Sequence, residues 1–266
     1  MGSALDTDGP SNRPDHSFWK RAFMFDQPSD GAKPAIVLVH GAWADASCWN
    51  GVITQLLSTG YTVYAPPNPL RSLASDAATV AAFVKMIPGP VIFVGHSYGG
   101  AVISVASPGT SNVKALIYVD GFAPDEGESC LSILSSSPPP PPDLFVPVPL
   151  AAAGDVDLYF SPKYYGAVFA SDVPPAASAL MAITQRPLTN AALNEKAPAA
   201  LGWKTIPCWY VVGDGDLVIP PATQLMMAQR AKSQITHVNG SHPSMIRHPE
   251  ATVAAIVAAT TSLASK

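Results

Sequence analysis

Charge is scarce in this chain. Only 13% of its 266 residues are Asp, Glu, Lys or Arg, about half the usual ~25%. A disordered chain needs low hydrophobicity and high charge, and here 48% of residues are hydrophobic. The net charge is −4 and no run of Lys or Arg occurs, which argues against a nucleic-acid groove or an anionic membrane surface as partner. Cysteine is equally sparse. Cys48, Cys130 and Cys208 are too few and too far apart for a disulfide framework, and no Cys/His spacing suits a metal. They read as small buried hydrophobes, and no metal or cofactor is expected. There is no run of about 18 apolar residues to span a bilayer. The first twenty residues are rich in Asp, Ser, Pro and Gly and hold no apolar signal core, so the expected location is cytoplasmic, or secreted if a leader has been removed.

What is present is regular punctuation. Ala35-Ile-Val-Leu-Val39, Val91-Ile-Phe-Val94, Ala115-Leu-Ile-Tyr-Val119 and Cys208-Trp-Tyr-Val-Val212 are short apolar runs bounded by Gly, Asp or Pro. They suit strands buried on both faces. Tyr61-Thr-Val-Tyr64 and Gln234-Ile-Thr-His-Val238 alternate more and fit flanking strands, and residues 21–25 suggest an edge strand. Between the runs the period is helical. Trp49, Val52, Ile53, Leu56 and Leu57 form one stripe, Leu73, Ala77, Val80 and Val84 another, and Pro249 opens a last helix with Val253, Ile256 and Val257 facing inward. Strands alternating with helices predict an α/β fold with a mostly parallel, doubly wound sheet.

The interval from Asp120 to Cys208 breaks this rhythm. It is several times the dozen or so residues a crossover needs, so it holds an insertion. The expected organisation is a flexible tail over 1–16, a core over 17–123 and 201–266, and a cap over 124–200. Five consecutive prolines at 138–142 read as a stiff spacer. Phe160, Tyr164, Tyr165 and Phe169 are the cap's aromatic group, either its own small core or the wall of an apolar pocket.

Gly95-His96-Ser97-Tyr98-Gly99 lies between an apolar strand and a helical segment. That context turns a short G-x-S-x-G match into a nucleophile elbow, with Ser97 exposed on a sharp turn. A serine hydroxyl needs a base. His242, in the loop after the last strand, is placed to reach it; His237 and His248 are the alternatives. The base needs an acid to hold its tautomer. Asp216 and Asp214 both follow the strand ending at Val212, with Asp216 preferred and Asp120 a distant third. An oxyanion would be held by the backbone amides of Tyr98 and of Ala42, the latter in the loop after the first core strand. A histidine base predicts a rate that changes between pH 5 and 8.

With these residues placed, the chain resembles the serine α/β-hydrolases, and within them the branch of plant methyl esterases, hydroxynitrile lyases and related bacterial esterases. The likeness spans residues 33–263. It rests on His40-Gly-Ala-Trp-Ala-Asp-Ala-Ser-Cys-Trp49, Asn68-Pro-Leu70, Gly95-His-Ser-Tyr-Gly-Gly100, Phe122-Ala-Pro-Asp-Glu-Gly-Glu128 and the loops of Asp216 and His242. The resemblance implies a cofactor-free carboxylesterase acting on a small, apolar ester through an acyl-enzyme. A lactonase or amidase would use the same machinery, and a non-catalytic ligand receptor would keep the fold without turnover. The lyases of the branch carry a lysine after the catalytic histidine and a threonine in the first loop. Pro243 and Gly41 stand there instead, so hydrolysis is expected.

Overall fold

Every residue of the strand Ala35–Val39 (β1) is buried, as are all those of Val91–His96 (β3) and Cys208–Gly213 (β8). Side chains of a strand alternate between faces, so a strand buried throughout must be covered on both. The computed structural model describes residues 33–135, 139–150 and 154–265. The tail over 1–16 and the strand expected at 21–25 lie outside the described residues.

The remaining core strands are Val63–Tyr64 (β2), Val113–Val119 (β4) and Gln234–Val238 (β9). They form one six-stranded sheet in the order β2-β1-β3-β4-β8-β9, parallel throughout. The two alternating segments occupy its edges. Helices Asn50–Ser58 (α1) and Pro249–Ala264 (α8) pack together, as do Leu73–Lys85 (α2) and Tyr98–Ala106 (α3). Ser72 caps α2 by accepting from the Ser75 amide, and Leu73, Ala77, Val80 and Val84 line its buried face. Two inward assignments fail. Leu57 and Val257 face solvent, and α8 instead buries Thr252, Ala255, Ile256 and Ala259. The buried stripe is rotated so that it centres on Thr252, Ala255, Ile256 and Ala259, with Val253 at its margin and Val257 outside it.

Register places the working ends of the strands level. Val39 pairs with Gly95, His96 with Val119, and Val119 with Val211. The loops that follow therefore meet at one rim of the sheet. Among the described residues, five non-glycines have positive φ. Four of them, Trp43, Leu70, Ser97 and Asp120, come soon after the ends of β1, β2, β3 and β4. Such conformations cost of order 1–3 kcal/mol each and cluster at working sites.

Between β4 and β8 lies a second, antiparallel sheet of Phe145–Pro149 (β5), Val156–Phe160 (β6) and Leu188–Thr189 (β7). β5 is mostly exposed and carries Pro147 and Pro149, as befits an edge strand. The helices here include Cys130–Leu134 (α4), Pro175–Thr184 (α5) and Asn190–Asn194 (α6), with a short helical turn over Pro162–Tyr164 running into a π-helix over Tyr165–Phe169. Polar ties bind this segment to the core. Arg71 pairs with Asp157 at 2.7 Å and donates to Pro187 O at 3.0 Å. Glu195 accepts from the Leu73 and Ala74 amides at the start of α2. Another helix of the core, Pro221–Arg230 (α7), ends at Arg230, which pairs with Glu128. No described helix is long and apolar enough to cross a membrane.

Candidate active site

Ser97 sits between β3 and α3 at φ 52° and ψ −125°. The turn is possible because Gly95 and Gly99 pass each other closely. A Cβ on Gly95 would lie 2.6 Å from Gly99 O, and one on Gly99 would press within 3.0 Å of the Val39 and His40 backbone. The Ser97 carbonyl accepts from the Gly100 and Phe122 amides, so the strained turn is held from both sides.

The Ser97 hydroxyl lies 2.8 Å from His242 Nε2, and His242 Nδ1 lies 2.8 Å from Asp216 Oδ2. A carboxylate only accepts, so Nδ1 carries the proton and Nε2 is left to accept from Ser97. Asp216 is buried and surrounded by N–H groups. Its Oδ1 accepts from the Val218 and Ile219 amides at 2.7 and 2.9 Å, and its Oδ2 also accepts from Gln224 Nε2 at 2.8 Å. Burial lifts this carboxyl well above its usual range, and the two backbone donors offset part of that rise. Burial pushes His242 down to about 3. The imidazole is therefore neutral, and its protonation lies below the pH 5–8 window that an ordinary histidine would give.

The rejected candidates have other partners. Asp214 pairs with His237 at 2.8 Å, and both are about half exposed. His248 binds Asn239 O through Nε2. Asp120 is fully buried beside Asp216 but does not reach His242. Its Oδ2 accepts from the Ser244 amide, and burial, then the Asp216 charge, lift its carboxyl well above the usual range. His16 lies outside the described residues.

The loop after β1 runs over the Ser97 turn. A Cβ at Gly41 would fall 2.5 Å from Ser97 Cβ, so no side chain fits there. The amides of Ala42 and Tyr98 both sit beside Ser97 at one cavity, and neither finds an acceptor among the described residues. His40 fixes the Gly41–Ala42 peptide from the core side. Its Nε2 accepts from the Asn68 amide at 3.0 Å, so Nδ1–H donates to Gly41 O at 2.9 Å. Burial lowers His40 to about 4 and keeps this neutral tautomer.

Several contributing residues carry no sequence signature. Gln224 is one, one turn inside α7. His96 donates from Nε2 to the His242 carbonyl at 3.1 Å, bracing that loop. Asp76 accepts from Tyr98 Oη at 2.9 Å. A polar residue in the otherwise apolar stripe of α2 was its one available signal.

The cavity beside Ser97 has a volume of about 880 Å³. Its walls are largely apolar, with Trp43, Phe122, Leu134, Phe145, Phe160 and Leu193 among them. Pro139, Pro140 and Pro141 also line it, so most of the proline run is wall as well as spacer, while Pro138 lies outside the described residues. Phe160 serves as both cap core and cavity wall: it is fully buried, edge-on to Trp43, Phe145, Tyr165 and Phe169. The three cysteines are free and buried. No cluster of metal-ligating side chains occurs among the described residues.

Comparison with known proteins gives a consistent picture. Residues 36–255 match the family described as Alpha/beta hydrolase family. The chain is 32% identical over 111 residues to a "Carbendazim hydrolyzing esterase" from a Nocardioides species, covering 37% of this chain and 46% of that one. It is 28% identical over 245 residues to a "Pyrethroid hydrolase" of Sphingobium wenxiniae, covering 83% and 85%. The crystal structure of a pyrethroid hydrolase from Sphingobium faniae superposes with a TM-score of 0.70 at 24% identity, covering 88% of this chain and 99% of that one.

Proposed function

Because the chain belongs to the alpha/beta hydrolase family, we propose that it hydrolyses a neutral, bulky, apolar carboxylic ester through an acyl-enzyme on Ser97. The observation that carries this reading is the 2.8 Å contact of Ser97 Oγ with a neutral, buried His242 beside a large apolar cavity. The relatives named as an esterase and a hydrolase support it. Residues 124–200 act as a cap that supplies much of the cavity wall.

His242 Nε2 takes the hydroxyl proton as Ser97 Oγ attacks the ester carbonyl. The carbonyl π pair moves to oxygen, and the Ala42 and Tyr98 amides receive that charge. Asp216 stabilises the imidazolium and keeps its tautomer. His242 then gives its proton to the departing alcohol oxygen, and the acyl group remains on Ser97. Water repeats the sequence, releasing the acid and restoring the hydroxyl. Lactones and amides present the same carbonyl to the same atoms. Cyanohydrin cleavage fits poorly, because Gly41 leaves no room for a threonine and Pro243 provides no cation.

Hydrolysis of p-nitrophenyl acetate, butyrate and octanoate by the wild type beside Ser97→Ala tests the reading. Turnover should fall on the order of 10⁶-fold in the variant, as when a serine hydrolase loses its nucleophile. Equal rates would remove Ser97 as nucleophile. The chain-length profile sizes the cavity.

A further inference from the structure

The loop that carries the Ala42 amide is held from two sides, and the second side is the insertion. Trp43, next to Ala42, has φ 57°, a conformation its bulky side chain does not favour. Three hydrogen bonds hold it there. Its amide donates to Arg186 O at 2.9 Å, its indole N–H donates to Leu158 O at 2.8 Å, and its carbonyl accepts from Tyr165 Oη at 2.6 Å. All three partners belong to the insertion. The indole is also stacked on Phe145, with ring centroids 4.9 Å apart.

We infer that Tyr165 is a positioning residue for the oxyanion site, acting through Trp43 to set the direction of the Ala42 amide. The inference rests on the esterase reading above. Tyr165 has no solvent exposure, and its ring is fixed by Phe160 and Phe169. Its hydroxyl therefore has one place to donate. Burial raises the phenol well above its ordinary value, so it stays a donor at any working pH. The peptides on both sides of Trp43 are pinned, one by Arg186 O and one by Tyr165. The peptide before them, Gly41–Ala42, is pinned by His40. Remove the Tyr165 hydroxyl and the Trp43 carbonyl becomes a buried acceptor without a donor, on a residue already in a disfavoured conformation. The loop then relaxes by turning that peptide, and the Ala42 amide loses its aim. An oxyanion donor acts on developing charge and contributes little to holding the neutral ester, so the loss falls on turnover.

The test compares the wild type, Tyr165→Phe, Tyr164→Phe and Ser97→Ala on p-nitrophenyl butyrate. It adds the affinity of each for an alkyl trifluoromethyl ketone, which forms a tetrahedral oxyanion on the serine. Tyr164 is the control: its hydroxyl donates to the exposed Asp143, so its loss should change nothing. Tyr165→Phe should lower kcat on the order of tenfold to a hundredfold, with KM within about twofold, since small misplacement of reacting groups has effects of that size. Affinity for the ketone should fall in parallel. An unchanged kcat in Tyr165→Phe, with Ser97→Ala inactive, overturns the inference and leaves the esterase reading intact. A lower kcat with undiminished ketone affinity also overturns it, because the effect would not run through the oxyanion. Activity persisting in Ser97→Ala overturns both. Should Tyr165→Phe fail to fold, Trp43→Phe reads the same clamp by removing the indole donor to Leu158 O; because the smaller ring also widens the cavity, ketone affinity is compared with KM, and only a loss confined to kcat and ketone affinity counts as the clamp. The same parallel loss is expected, and its absence counts against the inference.

Discussion

The six-stranded core and the inserted segment solve different problems. In the core, β1, β3 and β8 are buried end to end, and their register brings the loops of Ser97, Asp216 and His242 to one rim. In the insertion, β5 is mostly exposed, α5 buries only Ser178, and Leu180 and Ile183 point to solvent. The core fixes reacting atoms through backbone packing that tolerates little change. The insertion lines the cavity with aromatic, proline and aliphatic side chains, is tied to the core at a few polar contacts, and leaves much of its outer face in solvent. The difference teaches that a closely packed sheet and a more exposed segment contribute to one cavity, and that they meet at Trp43.

The largest blow to that comparison falls on the core. Asp216→Asn keeps the shape of the side chain but offers His242 the wrong hydrogen-bond pattern. Its kcat should fall about 10⁴-fold while the protein still folds, measured by steady-state rates beside a melting curve. A loss of less than tenfold would mean that Asp120, buried next to it, can serve instead. Gly99→Ala comes next. Its methyl has no space against the β1 backbone, and overpacking of this kind costs about 3 kcal/mol. Thermal denaturation should show a Tm lower by about 6–12 °C for a domain of this size.

The pH profile separates the buried imidazole from an exposed one. Activity needs neutral His242, and burial depresses its pKa, so the neutral form persists below 6.5. The kcat/KM should be level from pH 8 through 6.5 and fall only well below that, toward the region of about 3, while the enzyme stays folded. A midpoint at 6.5 would show that the Asp216 charge fully offsets burial. The smallest effect belongs to the surface of the insertion. Val148→Lys on exposed β5 should alter stability by no more than about 0.5 kcal/mol, seen as an unchanged urea midpoint. A larger change would show β5 to be as tightly held as the core.

Much of the core could be read in advance, because runs such as Ala35–Val39 and Cys208–Val212 are apolar for a simple reason: both faces of the sheet are covered. Ser97 was legible for the same kind of reason, since only glycines permit the crossing beneath it. The sequence favours Asp216 over Asp214 without deciding between them. Both follow β8, and the choice depends on where β9 delivers His237 and His242. Gln224, His96 and Tyr165 act through contacts between segments far apart in the chain, and nothing in their neighbours announces that. Val257 was misplaced because periodicity finds a stripe but not its rotation relative to a sheet. The proline run showed stiffness, but which surface it would wall depended on packing across the insertion.

The charge of the cavity wall bears on how a cycle ends. Among the described residues lining it, the only formally charged side chains are Asp214 and Asp216. On the function proposed above, a neutral ester enters such a space without electrostatic cost, but the acid it yields ionises at neutral pH and meets no cation among the described lining residues. Like charges repel strongly where water is scarce. On that reading the two carboxylates of the wall oppose the product acid, the Ala42 and Tyr98 amides alone favouring it, and turnover should be slowed by accumulating alcohol more than by accumulating acid.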